Sequence, residues 1–414
     1  MTTGDRNVAV GATSLDACTE GQYNVAVGND ALTTLTTGDR NTAVGLQSGA
    51  AITTGSYNSF FGSDSGDATT TGQYNAGMGH EALTTNTTGA QNTAVGTASL
   101  YANTTADNNT AVGMNSMRAN TTGANNVGIG HGALSTNTTA SQNTAVGMSA
   151  LLLTTTGANN TATGTYAMRA NTTGAQNTAF GTESLKETTT GENNTCTGYS
   201  ALIANTTGVR NHGFGVQAGG LITTGDNNVC IGFQAGYYGT SITTGSENVM
   251  LGNYCKPSAS DGDFQLAAGF NIACTGNNNF TFGNAATDSN IAFGATTITA
   301  PSDERYKEEI ETSTAGLDFI KDLRPVTFKW KKEKDVPSGH DAYVEGSDTR
   351  VMNSSGETNH GFIAQEVKAA IDNHSELKDG FDMWSEQGSD GRQRLGPSSL
   401  IPMLVKAIQE LEAR

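Results

Sequence analysis

Side chains able to carry chemistry are sparse along residues 1 to 301, which hold 7 Lys/Arg and 17 Asp/Glu of the chain's 22 and 39. Asp64 and Asp67 come nearest to the paired carboxylates that glycoside hydrolysis needs, and with so few acids around them they read as solvated loop residues. His80, His131 and His212 fall at different positions of a repeat, too scattered for a metal ladder, so no metal or other cofactor is expected. Gly128-Ile129-Gly130-His131-Gly132 has the glycine density of a phosphate-binding loop, but it is one copy of a recurring motif and reads as a corner. The five cysteines, odd in number and without metal-ligand spacing, read as free thiols, with Cys196 and Cys230 as small buried fillers of one repeat position. Further on, Ser302-Asp303-Glu304-Arg305-Tyr306-Lys307 sets a hydroxyl and an amine five residues apart. A serine hydroxyl attacks a carbonyl when a base takes its proton, and a lysine is such a base only when neutral, which burial or nearby positive charge achieves. Taken alone, the hexapeptide also describes a helix start capped by Ser302 or Asp303 with Lys307 on a wet face. The fifth position does not face the first along a regular helix, so catalytic use requires Ser302 in extended chain.

The elements that must position these residues begin with a repeat. An Asn recurs every 17 residues from Asn7 and Asn24 through Asn211 to Asn228, and a fifteenth copy, Asn248, follows after 20, with the three extra residues near Tyr237, Tyr238, Gly239, Thr240 and Ser241. Four residues after each Asn stands a Gly, and three before it nearly always another, with Ala106 and Ala140 as departures. A fixed period of this size without a helical apolar stripe predicts a solenoid, each repeat one turn of β-structure. The glycines mark two sharp bends per turn, expected at positive φ. Between bends lie strands such as Thr93-Ala94-Val95, apolar on both faces; one face is expected to line the coil, and the Ala/Gly face to admit a neighbouring subunit. A second ladder runs through Leu32, Leu83, Leu100, Leu134, Leu151, Leu185 and Leu202, continued by Met117 and Met168. At about 4.8 Å per coil the stack would be a rod on the order of 70 Å long, held in register by Asn and Thr ladders.

Composition alone could pass for disorder, with 52 Gly and a hydrophobic content of 36%, but a disordered tract has no reason to keep a constant Gly-to-Asn phase. A net charge of −17 without a basic stripe argues against nucleic acid as a partner. No stretch reaches the length of a membrane span and the N-terminus has no signal-peptide pattern, so neither membrane insertion nor secretion is expected. The chain opens with Thr2-Thr3-Gly4 already in phase, so an attachment domain is expected to be missing or supplied by another protein.

The repeat resembles the head repeats of trimeric bacterial adhesins of the YadA type and, more closely, the NTAVG repeats common in phage tail-fibre proteins. The resemblance covers residues 1 to about 252 and implies a left-handed parallel β-roll assembled as a homotrimer. Residues 253–301 break the period but keep degenerate copies, Phe280-Thr281-Phe282-Gly283-Asn284 and Asn290-Ile291-Ala292-Phe293-Gly294, and read as an aromatic neck.

From Ser302 the chain becomes charged and Pro-punctuated. Residues 316–323 (GLDFIKDL) read as a short helix, Val326 to Trp330 as a strand, 334–358 as a polar loop, and His360 to Val367 as a turn into a helix reaching Ile371. In residues 398–414, Ile401, Leu404, Ile408 and Leu411 are spaced 3, 4 and 3 apart, as in a coiled coil, although a helix packed within its own chain fits them equally. The fold class is therefore mainly β: a solenoid of 17-residue coils, then a small α+β domain ending in a coiled-coil helix.

The hexapeptide at 302–307, GLDFIKDLRPVTFKW at 316–330, GFIAQEV at 361–367 and the LVKAIQELEAR ending together resemble the intramolecular chaperone auto-processing domain of phage endosialidases, tailspikes and fibres, also found in a membrane-bound animal transcription factor. The resemblance spans 302–414. It implies that Ser302 and Lys307 form a cleavage dyad, that the scissile bond is Pro301–Ser302, and that Asp303, Arg305, Gly361, Gln365 and Glu366 are supporting motif positions. Cleavage would be a single-turnover serine-peptidase event without external substrate. The reading that follows is a trimeric phage tail fibre, assembled in the host cytoplasm and carried on the virion, contacting a host-surface glycan or protein. The competing classes are a bacterial surface adhesin and a glycan-cleaving tailspike.

Overall fold

The computed structural model describes residues 4 to 413 except 286, 296–297, 299–301, 303, 305–306, 341, 354, 378–380, 382 and 388–391. The chain divides into two compact units, residues 1–302 and 303–414.

In the first unit, among the described residues, fifteen three-residue strands run from β1 (Val8–Val10) to β15 (Val249–Leu251). Each pairs in parallel and in register with the next: Thr93, Ala94 and Val95 oppose Thr110, Ala111 and Val112. The register also survives the 20-residue step, where Val229 faces Val249. A parallel pair needs a crossover, and here the rest of one coil supplies it, which makes a mainly β solenoid. Those remaining residues bond coil to coil too, as when the Leu100 N–H donates to Ser116 O at 3.0 Å.

Packing inside the coil reverses one expectation. The small central strand residue faces inward, Ala26, Ala43, Ala94 and Ala145 being fully buried, while Val10, Phe61, Met78, Ile129, Phe180 and Ile231 are exposed on the outer face. The cause is volume. The leucine ladder fills the same interior, and at Gly213, an inner strand position, an added Cβ would lie 3.0 Å from Leu202 Cγ. In one coil the ladder residue is Gly66 and the strand slot holds a larger side chain: Phe60 is buried, and a Cβ on Gly66 would fall 2.5 Å from its ring. All five cysteines are free and buried, with Cys196 in register between Ala179 and Gly213. Burial pushes the Cys196 and Cys230 thiols up to about 12.

The two glycine sets also differ in cause. Gly96, after its strand, has φ 125, the left-handed region, as expected. Gly38, before the Asn, does not have positive φ; it is needed because a Cβ there would sit 2.2 Å from the carbonyl oxygen of Gly55 in the next coil. Positive φ falls instead on non-glycine residues such as Tyr23 and Leu32.

The Asn column is the polar counterpart of the core. Asn41 donates from its backbone N–H to Asn24 Oδ1 at 2.8 Å and from Nδ2 to Gly55 O at 2.9 Å, and the pattern repeats to Asn248. An amide is suited to the position because it both accepts and donates. Beyond Asn248, β16 (Gln265–Phe270) and β17 (Asn279–Asn284) continue the parallel stack, and β18 (Thr287–Ala292) folds back antiparallel on β17. The first degenerate copy is thus a stacked strand, and the second begins in a returning one.

In the second unit, helix α1 (Leu317–Asp322), strand β19 (Val326–Phe328), strand β20 (Asn359–Gly361), helix α2 (Ala364–Asn373), strands β21 (Trp384–Gln387) and β22 (Arg392–Leu395), and helix α3 (Ile401–Glu412) follow in order. β19 pairs antiparallel with β20, and β21 with β22. Phe319, Leu323, Val367, Ala370, Ile371, Met383 and Leu400 form the core. The β21–β22 hairpin had no counterpart in the sequence reading.

Candidate functional site

The chemistry proposed for the hexapeptide rests on two described residues. Ser302 and Lys307 are both exposed and lie outside helix and strand. The Lys307 N–H donates to Glu304 O at 3.0 Å, and the first α-helix beyond begins at Leu317. Ser302 closes the first compact unit, and Lys307 belongs to the second. Pro301, Asp303 and Arg305 lie outside the described residues.

The other motif positions converge. Pairing of Val326 with Gly361 and of Phe328 with Asn359 brings the RPVTFKW and HGFIAQEV segments side by side. The Phe328 ring lies against Gly361, where an added Cβ would be in ordinary contact with Cε1 at 3.4 Å. Glu366, in the first turn of α2, takes a two-pronged ion pair from Arg324, with Nε to Oε2 at 2.9 Å and Nη2 to Oε1. That guanidinium holds the Glu366 carboxyl below its ordinary value. Gln365 is exposed beside it, while Val367 turns into the core.

Two further residues do positioning work that motif reading missed. His374, where α2 ends, places Nε2 3.0 Å from Asp322 of α1 and Nδ1 3.0 Å from Glu376, with its ring edge-to-face on Phe319. Hydrogen bonds to Asp322 and Glu376 raise the imidazole above its ordinary value. Glu410 of α3 accepts the Leu317 N–H at 2.9 Å, tying the start of α1 to α3. Gly316 leaves room for it, since a Cβ there would be 2.7 Å from Glu410 Oε1. The sequence carried no signal for these contacts, because the partners are 52 and 93 residues apart.

Helix α3 divides its surface. Ala407 is buried and Met403 packs on the core, whereas Ile401, Leu404, Val405, Ile408 and Leu411 are exposed, Ile408 by 63%. The inward stripe is that of a helix packed in its own chain, and the outward one keeps the heptad spacing.

Among the described residues, no group of three or more His, Cys, Asp or Glu is placed to hold a metal, and no helix is long and apolar enough to cross a membrane.

The chain is thus a repetitive β-solenoid followed by a small α+β unit. Residues 302–376 match the family described as chaperone of endosialidase. No curated protein and no solved structure matches the chain. Solenoid and chaperone segment together fit a tail-fibre-like protein with a C-terminal intramolecular chaperone.

Proposed function

We propose that the chain is a trimeric tail fibre of phage type, that residues 302–414 promote folding of the trimer, and that the chain then cuts itself before Ser302. The observation that carries the reading is a pair of apolar surfaces without partners among the described residues: the outward strand positions of the solenoid and the outward stripe of α3. Exposed apolar surface marks an interaction site, and an outward apolar position recurring in most coils, Thr163 and Thr197 being departures, suits copies of the same chain lying alongside. The heptad spacing of Ile401, Leu404, Ile408 and Leu411 suits closure by a coiled coil. As a fibre it is carried on the virion through a separate attachment protein and contacts a host-surface glycan or protein.

In the cleavage step, neutral Lys307 takes the proton of the Ser302 hydroxyl as Oγ bonds to the carbonyl carbon of Pro301. The C–N bond breaks and the nitrogen takes a proton, leaving Pro301 joined to Ser302 by an ester beside a free amine. Water hydrolyses the ester, releasing the Pro301 carboxylate and restoring the hydroxyl. Lys307 is exposed in the single chain, so the burial that would make it a base has to come from other subunits. Cleavage is thereby conditional on assembly.

The test compares purified parent, Ser302→Ala and Lys307→Ala on denaturing gels, with sedimentation of each. The parent is expected as a trimer of chains ending at Pro301, and both variants as uncut trimers. Identical full-length bands for parent and variants would overturn self-processing; a monomeric parent would overturn the fibre assembly.

A further inference from the structure

We propose that the aromatic cluster at the one lengthened coil, Phe233, Tyr238, Tyr254 and Phe270 with Lys256, binds a carboxylate-bearing saccharide. This rests on the receptor-contacting reading of the shaft and names the receptor's chemistry. The cluster is built around the insertion. Ile242 N–H donates to Gly236 O at 3.0 Å, as Ile222 N–H does to Gly219 O in the coil before, so residues 237–241 are looped out while the stack keeps its register. The extra length therefore does nothing for the core and adds surface, and in repeat proteins such insertions gather on the binding face. Tyr238, Gly239 and Thr240 are all exposed.

The rings meet edge to face. Tyr254 lies 5.4 Å from Phe233 at 80°, 5.0 Å from Tyr238 at 65° and 5.8 Å from Phe270 at 85°. Edge-to-face packing leaves ring surface turned to solvent, and Phe233, Tyr238 and Phe270 are exposed by 40%, 49% and 49%. Such faces accept the C–H surface of a pyranose. Beside them the Lys256 ammonium lies 5.7 Å from the Tyr238 centroid, crossing Gly239, where an added Cβ would be 3.4 Å from Lys256 Cδ. Lys256 has no carboxylate partner among the described residues, although its unit holds more acids than bases. A cation held on an aromatic face without a counter-ion selects an anionic group on the ligand, which for a sugar is a carboxylate at the ring's edge.

The experiment uses the full chain against a panel of uronic-acid oligosaccharides, alginate and hyaluronan, with neutral cello-oligosaccharides as comparison. The parent is expected to bind the acidic panel at least tenfold more tightly. Lys256→Gln should remove that preference without moving the melting temperature, and Tyr238→Ala should weaken every saccharide at least tenfold with the trimer intact. No binding by the parent, or binding untouched by both variants, overturns the proposal. Dissociation of the trimer by Tyr238→Ala does so too, since the cluster would then be a subunit contact. The parent's own trimer and cleaved product, measured in the same preparations, report separately on the fibre reading.

Discussion

At the scale of single residues, the shaft depends on amides that serve two partners at once. Asn126 accepts the Asn143 N–H at 2.9 Å and donates to Ala140 O at 2.9 Å, all fully or nearly fully buried. Asn126→Ala would orphan both groups, and a loss of about 2–4 kcal/mol in a denaturant titration is expected. The inner column of Asn86, Asn103, Asn120 and Asn137 behaves in the same way until Thr154, whose shorter side chain leaves Asn137 Oδ1 buried without a partner. Thr154→Asn should complete the ladder and stabilise the shaft by about 1 kcal/mol, read as a raised melting temperature. In the second unit, His374 sets a pH dependence. Its folded pKa lies above the ordinary value, so its contribution is whole below about pH 6.5 and is lost as pH rises through the raised value. Both tryptophans, Trp330 and Trp384, lie in that unit. Their fluorescence should show a denaturation midpoint that falls from pH 6 upward in the parent and stays flatter in His374→Gln.

Elements add a second layer, and α3 is the clearest case. Its buried side closes the unit through Ala407 and the Glu410–Leu317 bond, so its exposed side is free to serve another purpose. Ile408→Asp should leave tryptophan-monitored stability within about 0.5 kcal/mol, as surface changes usually do, while sedimentation shows loss of the trimer. Unfolding of the unit by this change would show that the stripe is core after all. The helices of this unit were legible in the sequence because GLDFIKDL and FIAQEV carry apolar spacing, and the coil was legible because the Asn interval holds at 17 from Asn7 to Asn228. The facing of the strand was not. In Thr-Ala-Val both sides are apolar, and three residues carry no pattern that says which side turns inward. The second glycine set was misread for a similar reason: a carbonyl 2.2 Å from an absent Cβ belongs to the next coil and leaves no local trace. The His374 and Glu410 contacts join distant segments and leave none either. The hexapeptide was legible as a motif, but exposure of Ser302 and Lys307 is a property of the folded chain.

On the scale of the whole molecule, the two units solve different problems. Hydrogen bonds and strand pairings in the solenoid join residues of the same coil or the next, so the stack can begin forming anywhere, and nothing within it sets how several copies align. The second unit is held by long-range contacts and has one core, so it forms as a whole or not at all. That asymmetry is what an assembly module requires, and it gives a test. Chains ending at Pro301, produced without residues 302–414, should emerge as aggregates or monomers, whereas trimers processed after assembly should remain soluble at the same concentration.

The unbroken register has a consequence for how such a fibre can evolve. Because each turn presents to the next the same interface that it received from the last, a gain or loss of seventeen residues joins surfaces that already fit. Reach can then change by whole notches through unequal recombination, while intermediate lengths are penalised unless, like the insertion after Gly236, the surplus is looped out. The molecule is in effect a ruler whose graduations are written in its gene.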